Sequence, residues 1–340
     1  MRIRIGIAGV LAAWLLLACA APARAQPGSI RFTLDWAFQG PTSAFLHANR
    51  AGYYRAEGLN VTVDAGQGSA GAIQRVASGA YQMGFADFNS AIEYNANNPG
   101  QPIRGVMVLY DRAPFSVITL RGKGIATARD LEGKRLGAPQ FDASFRLFPS
   151  FAAATGIDRA KVVIQNMAPP LRETMLARGE VDFITGHYFT SFLELRARGV
   201  PEADIVVFRY ADAGLPFYGN GVVASPQMIS ERGPQIAAFL RATIRAMREI
   251  AADPRIGIAA VKATDPLIDE ALELTRLQIA LRENILTERV AAHGIGEASD
   301  ERLAASIAQV TAAFGLPRQI QPADLFDGRF LPPADQRRIP

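Results

Sequence analysis

Val76-Ala77-Ser78-Gly79-Ala80-Tyr81-Gln82-Met83-Gly84-Phe85 is echoed one hundred residues later by Leu176-Ala177-Arg178-Gly179-Glu180-Val181-Asp182-Phe183-Ile184-Thr185. In both stretches an amphipathic run stops at a glycine, where a left-handed cap costs little, and an apolar strand begins three residues on. The echo implies two units built alike. Around the first copy, Arg31–Leu34, Asn60–Asp64 and Gln82–Ala86 read as strands, with helices at Thr42–Ala51 and Ser69–Ser78 between them. Around the second, Arg135–Ala138 and Val162–Gln165 read as strands and Ser144–Thr155 as a helix. Strands alternating with helices predict parallel sheets covered on both faces and joined by right-handed crossovers.

The segment Phe115–Leu120 is expected to leave the first unit, and Gly219–Ala224 to return to it. The second lobe is then an insertion over 119–218, and the first lobe comprises 26–118 with 219–320. Beyond Pro234 the apolar residues keep helical spacing, as in Ile236, Phe239, Leu240, Ile244 and Met247, so extra helices close the chain. The end, 321–340, is rich in proline and charge and is expected to be a loosely packed tail.

Arg2 and Arg4 precede an apolar run from Ile5 to Ala18 and the small-x-small sequence Ala23-Arg24-Ala25, which together read as a secretory signal peptide over 1–25. The run is shorter than the ~20 residues that span a bilayer. Release before Gln26 into the periplasm competes with a lipid-anchored form beginning at Cys19, whose surroundings partly resemble a lipoprotein processing box. Cys19 is the sole cysteine, so release would leave neither disulfide, thiol nucleophile nor thiolate metal site. The 36 basic and 32 acidic residues of the whole chain become nearly balanced once Arg2, Arg4 and Arg24 are removed, which gives no electrostatic footprint for nucleic acid. His47, His187 and His293 lie far apart without a second ligand at i+2 or i+4, so no metal site is expected. Gly66-Gln67-Gly68 lacks the lysine and spacing of a phosphate-binding loop, and no cofactor is implied. Ser144, His187 and Asp142 have no nucleophile elbow to support catalysis.

Ligands of open α/β sheets collect outside the carboxyl ends of the strands, so the loops there supply the candidate site. The first unit offers Asp35, Trp36 and Gln39, then Gly68 and Ser69 at a helix start, then Asp87, Phe88 and Asn89. The second offers Phe141, Asp142 and Ser144, then His187 and Tyr188. Tyr110 and Tyr218 stand near the crossings as hinge-side walls, or as ordinary packing. Trp36 would give a flat wall for a planar ligand. Asp87 either accepts a hydrogen bond from a ligand N–H or caps the helix beginning near Ser90. Asp35 either contacts ligand or braces its loop. By the internal repeat His187 is the counterpart of Asp87, and the two are expected to face each other across the cleft.

Leu34-Asp35-Trp36, the run Ala48-Asn49-Arg50-Ala51-Gly52-Tyr53-Tyr54-Arg55-Ala56-Glu57-Gly58-Leu59-Asn60-Val61, and the Gly68-Ser69 and Ser78-Gly79 turns resemble the periplasmic binding proteins of the nitrate, sulfonate, taurine and thiamine-pyrimidine type. The resemblance implies a two-lobed type II fold, each lobe a mainly parallel sheet flanked by helices. It also implies a monomeric receptor that passes a small solute to an ABC permease and its ATPase. The Asp-Trp pair resembles the branch that binds the pyrimidine precursor of thiamine, where a Pro-Asn-Thr-x-His run usually follows. Here the stretch is Ala37-Phe38-Gln39-Gly40-Pro41-Thr42, with Thr42 where that histidine would fall. Fungal pyrimidine synthases share the Asp-Trp resemblance but carry a cysteine-rich motif. The aromatic side chains near strand ends favour a planar nitrogen-bearing ring over a sulfonate, nitrate or other small organic anion, since only His187 and Arg146 would bring positive charge.

Overall fold

A computed structural model describes residues 28–339, so the predicted signal peptide and Cys19 lie outside the described residues. The chain forms two five-stranded sheets, ordered β2-β1-β3-β10-β4 and β7-β6-β8-β5-β9. In the first, β1 (Gly28–Thr33), β2 (Leu59–Asp64) and β3 (Met83–Asp87) run parallel, while β10 (Asn220–Ala224) lies antiparallel between β3 and β4 (Arg104–Val108). The second repeats this with β6 (Arg135–Ala138), β7 (Val163–Asn166) and β8 (Phe183–His187) parallel, and β5 (Phe115–Leu120) antiparallel between β8 and β9 (Ile205–Arg209). Each sheet therefore takes its antiparallel strand from the stretch of chain adjoining the other lobe, and the two lobes cannot separate beyond what those connections allow.

The repeat is exact in register where the sequence echo is strongest. Strands β3 and β8 are each followed at once by a ten-residue helix, Phe88–Asn97 and Tyr188–Ala197. Gly79 and Gly179 both adopt φ of 77°, which an L side chain would resist. Alternation places Ile30 and Phe32 in the core and Arg31 at the surface. There the rings of Phe32, Phe45, Tyr54 and Phe239 pack together, the last two stacked with centroids 4.8 Å apart.

Three expectations need correcting. Phe115–Leu120 pairs along its length with β8 and β9, so the outward crossing lies at Asp111–Pro114, ahead of residue 118. The helix expected over Ser144–Thr155 is two, Ala143–Arg146 and Phe148–Thr155, because Pro149 lacks an N–H and its ring crowds the preceding turn. The segment from Gln321 is tied down: Leu325 is fully buried, the amide of Asp327 donates to the Gly105 carbonyl at 2.8 Å, and buried Arg337 donates to the carbonyls of Ile295 and Pro332. Among the described residues no helix is long and apolar enough to cross a membrane.

Candidate functional site

The carboxyl ends of β1, β6 and β8 face one another across a narrow cavity of about 30 Å³ that is partly open to solvent. Asp35, Trp36, Gln39, Thr42 and Ser69 line it from the first lobe, and Asp142, Arg172, His187, Phe189 and Thr190 from the second, with Tyr110 at the hinge. A wider groove of about 340 Å³ continues outward past Trp36 and Gln39 between Gln67, Pro169, Pro170 and Glu194.

Trp36 follows β1 on a half-buried loop, and the guanidinium of Arg172 from the opposite lobe lies 5.0 Å from its ring centroid. Arg172 is almost completely buried, donating from Nε to Glu173 at 2.7 Å and from Nη1 to Asp142 at 3.2 Å. Its Nη2 has no protein acceptor among the described residues. Asp142 also caps the Ala143–Arg146 helix, accepting from the Phe145 amide at 3.0 Å, and burial raises its carboxyl above the usual range. Asp35 accepts from the Ser69 hydroxyl at 3.0 Å and from Asn220 at 2.6 Å, both on one oxygen. Burial lifts its carboxyl to about 7, with the hydrogen bonds pulling the other way and nearby Asp142 adding to the rise. A buried carboxylate accepts such a shift in preference to carrying an unpaired charge.

His187 ends β8 inside an aromatic box, with Tyr110, Phe115 and Phe189 ring centroids at 6.2, 5.6 and 5.6 Å. Burial, helped by the positive charge of Arg172, lowers its pKa to about 3, so the imidazole is neutral at any physiological pH. A neutral imidazole offers one donor and one acceptor nitrogen. Neither the His187 imidazole nor the Tyr110 hydroxyl makes a side-chain hydrogen bond among the described residues. The charged groups at the cavity are thus one arginine already met by Asp142 and Glu173, and the titratable Asp35. An anion would find no uncompensated positive charge here. A neutral ring carrying both N–H donors and carbonyl or ring-nitrogen acceptors would find partners for each.

Contacts between the lobes seal this arrangement. Thr190 donates to Gln39 Oε1 at 3.1 Å, and Arg146 pairs with Glu93 at the rim. The amide of Ala70, in the first turn of the Ser69–Ala77 helix, donates to the Phe141 carbonyl at 3.3 Å. Gly68 permits that approach: with φ at 131°, an added Cβ would stand 2.2 Å from the same carbonyl oxygen.

Of the residues expected at the site from sequence, Asp35, Trp36, Gln39, Gly68, Ser69, Tyr110, Asp142 and His187 meet at the cavity. Six others stand elsewhere. Asp87 is the N-cap of Phe88–Asn97, its oxygens taken by the Ser90 amide at 2.6 Å, the Ser90 hydroxyl and Asn89, so it does not face His187 across the cleft. Asn89 is spent on Asp87 and the Tyr218 carbonyl. Tyr218 accepts from the Ser299 amide at 2.9 Å under the guanidinium of Arg302, and is packing. Ser144 is buried behind the wall, where its carbonyl accepts from the Tyr210 hydroxyl. Phe141 contributes its backbone to the lobe contact while its ring is partly exposed. Tyr188 turns to the other side of the hinge, 4.2 Å beneath Arg209. Phe88, also near a strand end, packs over Gly105 and Gly221 in the core. Sequence reasoning missed Arg172, Phe189 and Thr190. Arg172 was reachable from Pro169-Pro170, which announce a helix start just after β7.

Two lobes joined by crossed strands over one shared cavity define the periplasmic-binding-protein fold. The chain belongs to the family described as NMT1/THI5 like, which matches residues 41–256. Among curated relatives, the riboflavin-binding protein RibY of Chloroflexus aurantiacus is 26% identical over 272 residues, covering 75% of this chain and 76% of that protein. The formylaminopyrimidine-binding protein of Halalkalibacterium halodurans is 26% identical over 254 residues, covering 72% and 74%. In structure, the alkanesulfonate-binding protein SsuA from Xanthomonas axonopodis pv. citri, bound to MOPS, superposes with a TM-score of 0.71 over 89% of this chain and 99% of that one, at 16% identity.

Proposed function

We propose that this protein is the extracytoplasmic solute-binding component of an ABC importer. It captures a small, planar, nitrogen-bearing solute by closing its lobes and presents the closed form to a membrane permease. The observation that carries the reading is the meeting of Trp36 with Arg172, one from each lobe, over a floor of Asp35, Asp142 and neutral His187. A ligand biases closure only through contacts it makes better in the closed form, and residues drawn from both lobes supply such contacts. Relatives that bind riboflavin and a formylaminopyrimidine support a ring system carrying both donors and acceptors. The protein acts as a monomer in the periplasm, delivered there by its signal peptide.

A sulfonate or other organic anion is the second reading, favoured by the one unpartnered nitrogen of Arg172 and by the fold shared with SsuA. A pyrimidine-synthase-like enzyme is the third, and the Ser144 hydroxyl, enclosed behind the cavity wall, is poorly placed for nucleophilic chemistry. Thermal-shift titration with riboflavin, formylaminopyrimidine and an alkanesulfonate separates the first two: the heterocyclic reading expects a rise with at least one ring and none with the sulfonate. The reverse pattern would establish an anion receptor.

A further inference from the structure

Arg276 lies on the Glu270–Ala280 helix, outside the cavity, and its side chain has no solvent exposure. It donates from Nη2 to Glu194 of the opposite lobe at 2.7 Å, and from Nη1 to Glu273 on its own helix. Its Nε is buried without a partner. Glu273 in turn accepts from the backbone amide of Gly40 at 2.7 Å, on the loop that carries Trp36 and Gln39. That helix also sits hard against the loop: an added Cβ on Gly40 would lie 2.6 Å from the Glu273 carbonyl oxygen. Glu194 belongs to the helix that starts with Tyr188 and carries Phe189 and Thr190 into the cavity. A single buried guanidinium thus links both halves of the site through their supporting elements, without touching the space a solute would fill.

We propose that Arg276 is a positioning residue for lobe closure. Docking of Glu194 completes its coordination, and the same guanidinium holds Glu273 where it fixes the Gly40 amide. This rests on the closing-receptor reading. When the lobes part, Glu194 moves away with the second lobe and the guanidinium exchanges one of its two carboxylates for water. Closing returns that carboxylate to the guanidinium as a charge-assisted hydrogen bond, and this contact favours the closed form before any solute is bound. Glu194 is itself a quarter exposed and also pairs with Arg198, so the bias is modest.

The test is the distribution of distances between spin labels at Ser78→Cys and Arg178→Cys, both exposed and at the outer ends of their lobes, in a Cys19→Ser background. It is measured by pulsed electron resonance without ligand. Glu194→Gln keeps Arg276 paired with Glu273 and is expected to fold. It should reduce the closed-to-open ratio by about twofold to fivefold, in line with a partly exposed ion pair. Arg276→Gln should do at least as much, and Arg241→Gln, which breaks a surface pair within the first lobe, should change nothing. A closed population that persists equally in Glu194→Gln and Arg276→Gln would overturn the role of Arg276 and leave lobe closure standing. Wild-type protein found only open would also overturn it, because the pair would then be too weak to bias closure. One distance in every variant, unmoved by riboflavin, formylaminopyrimidine or an alkanesulfonate, would overturn lobe closure and the receptor reading with it.

Discussion

Replacing Trp36 by alanine removes the wall of the cavity and the first-lobe partner of Arg172 in one step. The ring stands 5.0 Å from the guanidinium, a cation–π contact worth about 0.5–2 kcal/mol depending on how dry the closed site is. Its other contribution is an offset stack on the solute, about 0.5–1.5 kcal/mol beyond burial. Because the contact with Arg172 exists only when the lobes meet, both terms enter the affinity. Their sum, about 1–3.5 kcal/mol, corresponds to roughly fivefold to 400-fold in Kd. Trp36 is absent from the hydrophobic core clusters, so the melting temperature of the ligand-free protein should change little. Calorimetric titration with the solute recovered from native protein measures the loss. The chain has two tryptophans, Trp14 within the predicted signal peptide and Trp36, so fluorescence of the processed wild type reports this site alone. A Trp36→Ala protein that binds within threefold of wild type would show that the wall is not part of the site.

Arg172→Met leaves Asp142 and Glu173 buried without their cation, and unfolding in denaturant should show a loss of about 3–5 kcal/mol. Gly68→Ala sets a Cβ against the Phe141 carbonyl oxygen at a φ that alanine resists, so small-angle scattering with saturating solute should retain the open radius. The pH dependence of stability carries the Asp35 signature. Its carboxyl titrates near 7 when folded and near 3.8 when unfolded, so the folded state holds the extra proton, and this group's contribution falls as pH rises from about 4 to 7. Asp35→Asn should therefore gain stability relative to wild type at pH 8 and not at pH 4, as read by melting temperature. His187 acts oppositely: neutral when folded down to about 3, it costs stability as pH falls from 6.5, so His187→Phe should flatten that limb.

The two-lobe plan is written in local signals: a glycine cap at Gly79 and Gly179, an apolar strand, then a helix, twice over. Those features depend on neighbours a few residues away, which is why spacing reveals them. Sheet membership of Phe115–Leu120 does not, since a strand buried on both faces reads alike in either lobe. The site was half visible for the same reason. A position after a strand end places a residue near the cleft, and it did so for Trp36, Asp142 and His187. Whether the side chain is free depends on partners far along the chain. Asp87 is consumed by its own helix start, whereas Tyr218 is consumed by Ser299, 81 residues away, which no motif announces. Arg172 escaped because its role comes from Trp36, Asp142 and Glu173 converging on it from two lobes. The packed tail escaped because prolines and charges mask Leu325 and Arg337, which dock on the first lobe.

A cleft that captures a planar nitrogen-bearing solute should carry it through purification, where mass spectrometry of the small molecules released on denaturing protein from its native envelope would find it. The expected result is a heterocycle present in stoichiometric amount, which raises the melting temperature when added back to emptied protein. Release of a sulfonate or other non-aromatic anion in its place, with no response to heterocycles, would contradict it.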